Sequence, residues 1–429
     1  MKMNMKSKNG LPVFVVIAML VITGIKVNAQ DWPQWRGANR DGVSKETGLN
    51  LNWSDKQPSL VWTFRQAGAG YSAPVIVGTT LYGQGGADGN DFAFALDTQT
   101  GNVKWKQNLG ALSVIERGDG PRGSVTVDGD KLYLIRSNGF IHCLAAADGQ
   151  MIWQKDFKND FNGAMMSNWG YSESPLIDGN LVICTPGGGE GTMVALDKNT
   201  GALVWRSKEW TDQAAYSSAI IAEVGGIRQY VQQSGKGVAG ISVTDGKLLW
   251  KIDNAAYRTA VIPTPIFQND FVYVTNGYNG GCMGIQLTRN GESIQATSIY
   301  ANRNLDNQHG GVVLINGFIY GFCEQPSLSW VCQNVKTGEV VWSQRGQEVG
   351  VGKGSVFAVN DRLILFDMQT GILAVAAASP DGWKEFGKMT IPERTKVSTQ
   401  DNQLWTHPVV ANGKLYVRDH DLLFCYDLK

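Results

Sequence analysis

Apolar residues in this chain fall in short runs separated by turn-forming residues. Between Tyr71 and Trp105 one run follows Ser72-Ala73-Pro74 and stops at Gly78, and a second holds Leu81-Tyr82 before Gly85-Gly86. A third spans Phe92 to Leu96, and Thr100-Gly101 then leads into a segment carrying Trp105. This is the pattern of four short strands joined by turns at Gly78, Gly85-Gly86 and Thr100-Gly101. The phrase Ala95-Leu96-Asp97, Thr100-Gly101, Trp105 returns as Ala195-Leu196-Asp197, Thr200-Gly201, Trp205. Its Gly-x-x-x-Trp ending returns alone at Gly149/Trp153, Gly246/Trp250 and Gly338/Trp342. Successive tryptophans stand 48, 52, 45 and 92 residues apart, the last being two periods. A period in the forties built from four strands predicts β-propeller blades, not a helical solenoid. Asn290-Gly291 and Asp381-Gly382 keep the turn in phase in a fifth and a seventh unit that lack the tryptophan.

The two ends of the chain supply the remaining blade. Leu423-Phe424-Cys425-Tyr426-Asp427 reads as the first half of the repeat phrase, and Leu60-Val61-Trp62-Thr63-Phe64 as its missing second half. Pairing them closes the ring and hides sheet edges that otherwise template aggregation. The expectation is an all-β domain over residues 60–429, an eight-bladed propeller of four-stranded antiparallel blades, with seven blades as the alternative. Trp62, Trp105, Trp153, Trp205, Trp250 and Trp342 are expected to be structural, each laying a large flat surface over the junction with the next blade. The turn glycine supplies the positive φ that the turn needs.

Ala95 to Gly101 and Ala195 to Trp205 resemble the pyrroloquinoline-quinone (PQQ) repeat. The tryptophan-docking motif of that repeat runs Ala-x-Asp-x-x-x-Gly-x-x-x-Trp and builds the eight-bladed quinoprotein alcohol dehydrogenase-like fold. The likeness covers essentially the whole chain after residue 29. It leaves function open, because the family includes both dehydrogenases and non-catalytic scaffolds of the BamB-like outer-membrane assembly type. Quinoprotein alcohol dehydrogenases typically carry a disulfide between adjacent cysteines and a calcium site of Glu, Asn and Asp. This sequence has no Cys-Cys pair and no Cys-x-x-Cys-His for a covalent haem, and no calcium ligands can be assigned by resemblance.

Charge and the N-terminus narrow the setting. Lys plus Arg and Asp plus Glu both total 38, which argues against a general nucleic-acid or membrane-surface binder. Lys2, Lys6 and Lys8 precede an apolar run from Leu11 to Ile25, and Val27-Asn28-Ala29 offers a signal-peptidase site before Gln30. Residues 1–29 are therefore expected to be a signal peptide and the remainder a periplasmic or secreted monomer, with an uncleaved membrane anchor as the alternative. No cysteine precedes Cys143, so no lipid-bearing cysteine is available, a departure from lipid-anchored scaffolds. Residues 30–59 form a lead-in segment whose Trp32-Pro33-Gln34-Trp35-Arg36-Gly37 is similar to that of many exported PQQ-repeat proteins. Its tryptophans either cover the closing blade or offer an aromatic contact to a partner or a sugar.

Six cysteines in an exported chain raise the question of disulfides. Counting six residues back from each turn glycine gives Ala95, Cys143, Ala195, Gly240, Cys332 and Ala376, with Cys425 in the matching place, so these cysteines replace a small alanine. Equivalent positions in different blades lie too far apart for a bond that needs Cα atoms within about 7 Å. Cys143, Cys332 and Cys425 are expected to be buried free thiols, whereas Cys323 and Cys332 flank a hairpin and stay open to pairing.

No local motif announces catalysis. Gly187 to Gly191 joins two strands and opens no helix, so it lacks the aligned amides of a phosphate loop. His142, His309, His407 and His420 show no metal-ligand spacing. In a propeller the first strand of each blade lines the central channel. Aligning the starts of those strands places Tyr71, Arg122, Tyr171 or Ser172, Tyr216, Ile262, His309, Lys353 and Trp405 at its mouth. Trp169, Glu173, Arg258 and His407 stand close by. Such aromatic and basic groups either form a funnel for an anionic or sugar-like ligand or plug the channel by stacking on one another. Three functions remain open. The preferred one is an exported non-catalytic scaffold that binds an envelope protein or a small ligand and needs no cofactor. The others are a PQQ- and calcium-dependent dehydrogenase of an alcohol or sugar, and a carbohydrate-binding or carbohydrate-processing propeller.

Overall fold

Each glycine-punctuated repeat folds as one antiparallel sheet, and eight such sheets succeed one another around a propeller ring. The computed structural model describes residues 31–254, 259–398 and 403–429. The expected signal peptide, its cleavage point and Arg258 lie outside the described residues. Blades 1 to 7 begin with the strands Val75–Val77, Thr126–Asp128, Leu176–Asp178, Ile220–Val224, Ile266–Gln268, Val312–Ile315 and Gly354–Val359. Blade 8 is composite: Val409–Ala411, Lys414–Asp419 and Leu422–Asp427 are completed by Ser59–Phe64 from the other end of the chain. A short strand, Val43–Ser44, pairs in parallel with the first strand of blade 7. Helix among the described residues is confined to Phe157–Phe161 and Gly346–Val349, and neither is long and apolar enough to cross a membrane.

The recurring small residue is explained by what faces it. In seven blades the outer strand is bulged by one residue, Val61, Lys104, Ile152, Val204, Leu249, Ile299 or Val341, directly before the aromatic. A bulge re-aims the following side chain, here setting Trp105, Trp153, Trp205, Trp342 and Trp62 opposite Ala95, Cys143, Ala195, Cys332 and Cys425. All six cysteines are free and buried. Cys323 pairs with Ser329 across the hairpin and Cys332 with Tyr320, several rungs apart, so the disulfide left open by the sequence does not form.

The indole N–H groups of Trp62, Trp105, Trp153, Trp205 and Trp342 donate to the Thr98, Ala146, Lys198, Val243 and Ser379 carbonyls of the next blade, at 2.8–3.3 Å. Trp250 departs from this. Its N–H turns to Gln229 Oε1 of its own blade at 2.5 Å. The outer hairpin of blade 5, Gly281–Asn290 with Ser293–Asn302, has ten-residue arms that carry its turn out of reach. A Cβ on Gly291 would accordingly meet nothing, whereas one on Gly246 would meet Trp205 at 2.5 Å. Blade 5 nevertheless keeps an aromatic: Tyr300 faces Gly284 and donates to the Val335 carbonyl at 2.8 Å.

The turn expected at Gly85-Gly86 lies instead at Asp88-Gly89, between strands Thr80–Ala87 and Asn90–Asp97. Gly85 serves a close backbone approach, since a Cβ there would sit 1.8 Å from the Ala67 carbonyl oxygen.

Candidate functional site

Antiparallel order places the turns after first and third strands on one face of the ring, and the second-strand turns with the blade-to-blade loops on the other. The lead-in segment seals the axis on the first face. Trp32 exchanges backbone bonds with Ile76, Pro33 accepts from Val127, and Gly42 accepts from Ala358. The Trp35 indole N–H donates to Thr264 Oγ1 at 2.8 Å, Arg40 to the Ser174 carbonyl at 2.8 Å and Arg36 to the Val312 carbonyl at 2.5 Å. Glu46 accepts from the Asn412 and Gly413 amides at 2.7 Å. Seven of the eight blades are tied to this one strap. Burial lowers Arg36 and Arg40 to about 10, which leaves both charged at neutral pH.

Above the strap remains a blind cleft of about 180 Å³. Tyr71, Arg122, Trp169, Tyr216, His309 and Trp405 line it, together with Ser172, Ile262 and His407. Lys353, expected at the mouth, stands one layer back because its ammonium is taken by Glu324 Oε1 and Gln308 Oε1, and Gln308 occupies the wall. Burial lowers Lys353 to about 8. Tyr171 turns away into the core, its hydroxyl on the Pro186 carbonyl at 2.9 Å. Trp35, Arg117, Tyr278 and Gln308 also line the cleft, although the strand register did not point to them. Of the two lead-in tryptophans, Trp32 is buried against Phe357, with ring centroids 6.3 Å apart, and Trp35 packs on His407 at 4.7 Å.

Two aromatic pairs dominate the walls: Tyr71 with Trp405 at 4.9 Å, and Trp169 with Tyr216, stacked at 6.1 Å. Arg122 lies 5.3 Å over Tyr71 and Arg117 lies 5.4 Å over Trp169. Arg122 is anchored by donating to the Glu116 and Gly118 carbonyls at 3.2 and 3.1 Å. Among the described residues, none that lines the cleft carries a carboxylate. His309 is only 7% exposed, and neither ring nitrogen has a partner. Burial, reinforced by the Lys353 ammonium and His407, holds it well below its ordinary value, so it is a neutral imidazole at pH 7.

Directly behind the wall, Glu173 accepts from the Thr185 amide at 2.7 Å and the Thr185 hydroxyl at 2.9 Å. Burial raises its carboxyl to about 7 against these bonds and the nearby Arg40. A carboxyl whose folded pKa is raised stabilises the fold fully below its unfolded value of 4.5, and that stability is lost as pH climbs through 7. Glu173 is therefore expected to cost the fold about 3 kcal/mol between those limits. Glu173→Gln should remove that slope and be the more stable protein at pH 8, read from urea midpoints across pH; equal slopes in the two proteins would refute the assignment.

The quinone-dependent reading requires a cation, and calcium takes six to eight oxygen ligands with carboxylates prominent among them. Among the described residues, the cleft lining offers hydroxyls and the Gln308 amide but no carboxylate, and no group of three or more His, Cys, Asp or Glu able to hold a metal occurs. This donor set does not fit a calcium-quinone pair.

A family model described as outer membrane protein assembly factor BamB (PQQ_2) matches residues 90–344, more than half of the chain. Among solved structures, BamB from Moraxella catarrhalis is similar at 15% identity with a TM-score of 0.58, covering 86% of this chain and 98% of that one. A europium-containing methanol dehydrogenase is similar at 13% identity and a TM-score of 0.62, covering 91% and 89%. The quinohemoprotein alcohol dehydrogenase from Comamonas testosteroni is similar at 14% identity and a TM-score of 0.60, covering 93% and 80%. At such identities the likeness to these structures is one of fold. No curated protein matches the sequence.

Proposed function

The chain belongs to the PQQ_2 family, that of the outer membrane protein assembly factor BamB, and from that premise we propose that it is an exported, non-catalytic propeller of the cell envelope that works by binding, with the axial cleft as its ligand site. The observation that carries this reading is the make-up of the cleft. Aromatic faces and two arginines supply recognition, while the described residues of the lining include no carboxylate to orient a histidine base, coordinate a cation or accept a proton. His309, buried in the wall, has no partner that would hold it for proton transfer. The strap across the far face makes the cleft a terminus and not a passage.

The test is a calorimetric titration of the purified chain with PQQ in calcium-containing buffer, followed by a dye-reduction assay with primary alcohols and sugars. No heat and no substrate-dependent dye reduction are expected. One-to-one binding with alcohol-dependent reduction would replace the binding reading with the dehydrogenase.

A further inference from the structure

We propose that the outer edge of blade 5, the strand Ser293–Asn302, pairs with the same strand of a second copy of this chain and joins two rings about a two-fold axis. The proposal goes beyond the cleft reading and does not depend on it. The outer strand of a blade carries unpaired backbone N–H and C=O groups, and proteins blunt such edges with charge, proline, bulges or shortness. Six of the eight outer strands follow that rule, because Val103–Ala111, Met151–Asp156, Leu203–Arg206, Leu248–Asp253, Val340–Arg345 and Glu385–Thr390 each hold a Lys or Arg. Ser293–Asn302 reads Ser-Ile-Gln-Ala-Thr-Ser-Ile-Tyr-Ala-Asn, with no charge, glycine or proline. Ser59–Phe64 is also uncharged, but its bulge at Val61 divides it into runs of two and three residues. The bulge in Ser293–Asn302 comes late, at Ile299, and leaves Ser293 to Ser298 as six residues in unbroken register. In no other outer strand does such a run exceed four.

The edge is also within reach. The long arms of this hairpin carry its turn clear of the ring, so that a Cβ on Gly291 would meet nothing. Beyond Gly281–Asn290 the strand has no ladder partner among the described residues. Ile294 and Ala296 belong to the apolar cluster that holds Trp250 and Ile252 of blade 4, whereas Gln295, Thr297 and Ser298 are exposed and Ile299 is 52% exposed. A second copy is the occupant that this edge fits. Antiparallel pairing of a strand with itself closes about a two-fold axis, forms about six backbone hydrogen bonds over six residues and sets neutral side chains against neutral ones at every rung. Glu292, in the turn, then falls at opposite ends of the paired strands, about 20 Å from its copy. Arg289 is engaged within its own chain by the Gly291 and Gly225 carbonyls. The product is one continuous eight-stranded sheet made of blade 5 from each copy, a dimer where the sequence led to the expectation of a monomer.

Sedimentation equilibrium of the full-length chain from about 1 to 100 µM tests this, and the mass is expected to rise from that of one chain to that of two. Gln295→Lys with Thr297→Lys, which adds charge at two exposed positions of the edge, should weaken association at least about ten-fold. Leu60→Lys, on the other uncharged edge and 46% exposed in the parent, should leave it unchanged. Association through the apolar run from Leu11 to Ile25 would survive in the double variant and count against the proposal. Thermal melts report the folding of each variant. If the double variant does not fold, amide exchange of the unmodified chain decides: Ser293 to Ser298 should exchange about ten-fold more slowly at the top of the concentration range than at the bottom. A monomer throughout the range, growth beyond a dimer, a dimer indifferent to the double variant or broken by Leu60→Lys, or exchange at Ser293 to Ser298 that ignores concentration would each overturn the proposal. Any of these leaves the cleft reading standing, since the cleft lies on the axis and this edge on the rim.

Discussion

Replacing Arg418 with methionine is expected to lower the unfolding free energy by roughly 5 kcal/mol. Arg418 lies in the strand Lys414–Asp419 of the composite blade and is 1% exposed. Its Nε donates to the His420 carbonyl at 2.7 Å, and its two terminal nitrogens donate to the carbonyls of Ser72, Gln84, Ala67 and Gly68 at 2.8–3.1 Å. One guanidinium thus satisfies five backbone oxygens across the junction of blades 8 and 1, where the two ends of the chain meet. Burial lowers its pKa to about 10, so it stays charged at neutral pH. A buried ion pair can be exchanged for apolar groups at little cost because both partners leave together. Here the partners are main-chain carbonyls that no substitution removes, and each is left desolvated. Urea denaturation should show a lower midpoint with an unchanged slope, and a loss below about 1 kcal/mol would mean that water replaces the guanidinium freely.

Blade number and ring closure are legible because one physical requirement recurs in nearly every unit: a turn residue with positive φ, and an aromatic set against a small residue. Blade 5 marks the limit of a reading keyed on tryptophan, since Tyr300 fills the same place opposite Gly284. Gly85 marks another. A glycine signals either a turn or a close approach, and the Ala67 carbonyl that decides between them belongs to a distant segment. The cleft is legible where its residues lead into a first strand, as Tyr71, Arg122, Ser172, Tyr216, Ile262, His309 and Trp405 do, with Trp169 and His407 beside them. Trp35 comes from a segment outside the repeat, and Tyr278 from a second-strand turn where it adopts φ 58°. Lys353 has the right register and the wrong place, because Glu324, on a neighbouring blade, draws its ammonium behind the wall. Residues that meet at a propeller axis are separated by a whole repeat, so their contacts leave no local spacing to read.

Taking the protein from pH 7 to pH 5 is expected to destabilise the fold by several kcal/mol, through all four of its histidines at once. His142, His309, His407 and His420 are each at most 8% exposed. Burial is the leading cause in every case, and it lowers His142 and His407 to about 3, His420 to about 4, and His309 well below the ordinary 6.5. Cationic neighbours act in the same direction: Arg136 on His142, Lys353 on His309, Arg36 on His407, and Arg418, Arg394 and Arg122 on His420, where Asp421 alone opposes them. The folded state therefore keeps these rings neutral while the unfolded chain protonates them. Their contribution is whole above pH 6.5 and is lost as pH falls toward the folded values. At pH 5 each histidine costs about 2 kcal/mol, or about 8 kcal/mol for four. Glu173, gaining its proton over the same range, returns about 2 of these. Urea midpoints measured from pH 7.5 to 5 should fall steeply. His142→Leu, which removes a ring stacked 6.2 Å from Phe140 and bound to nothing through either nitrogen, should flatten the slope by about one proton. A midpoint that holds constant to pH 5 would mean that the rings admit water and titrate in the folded ring as they do in the open chain.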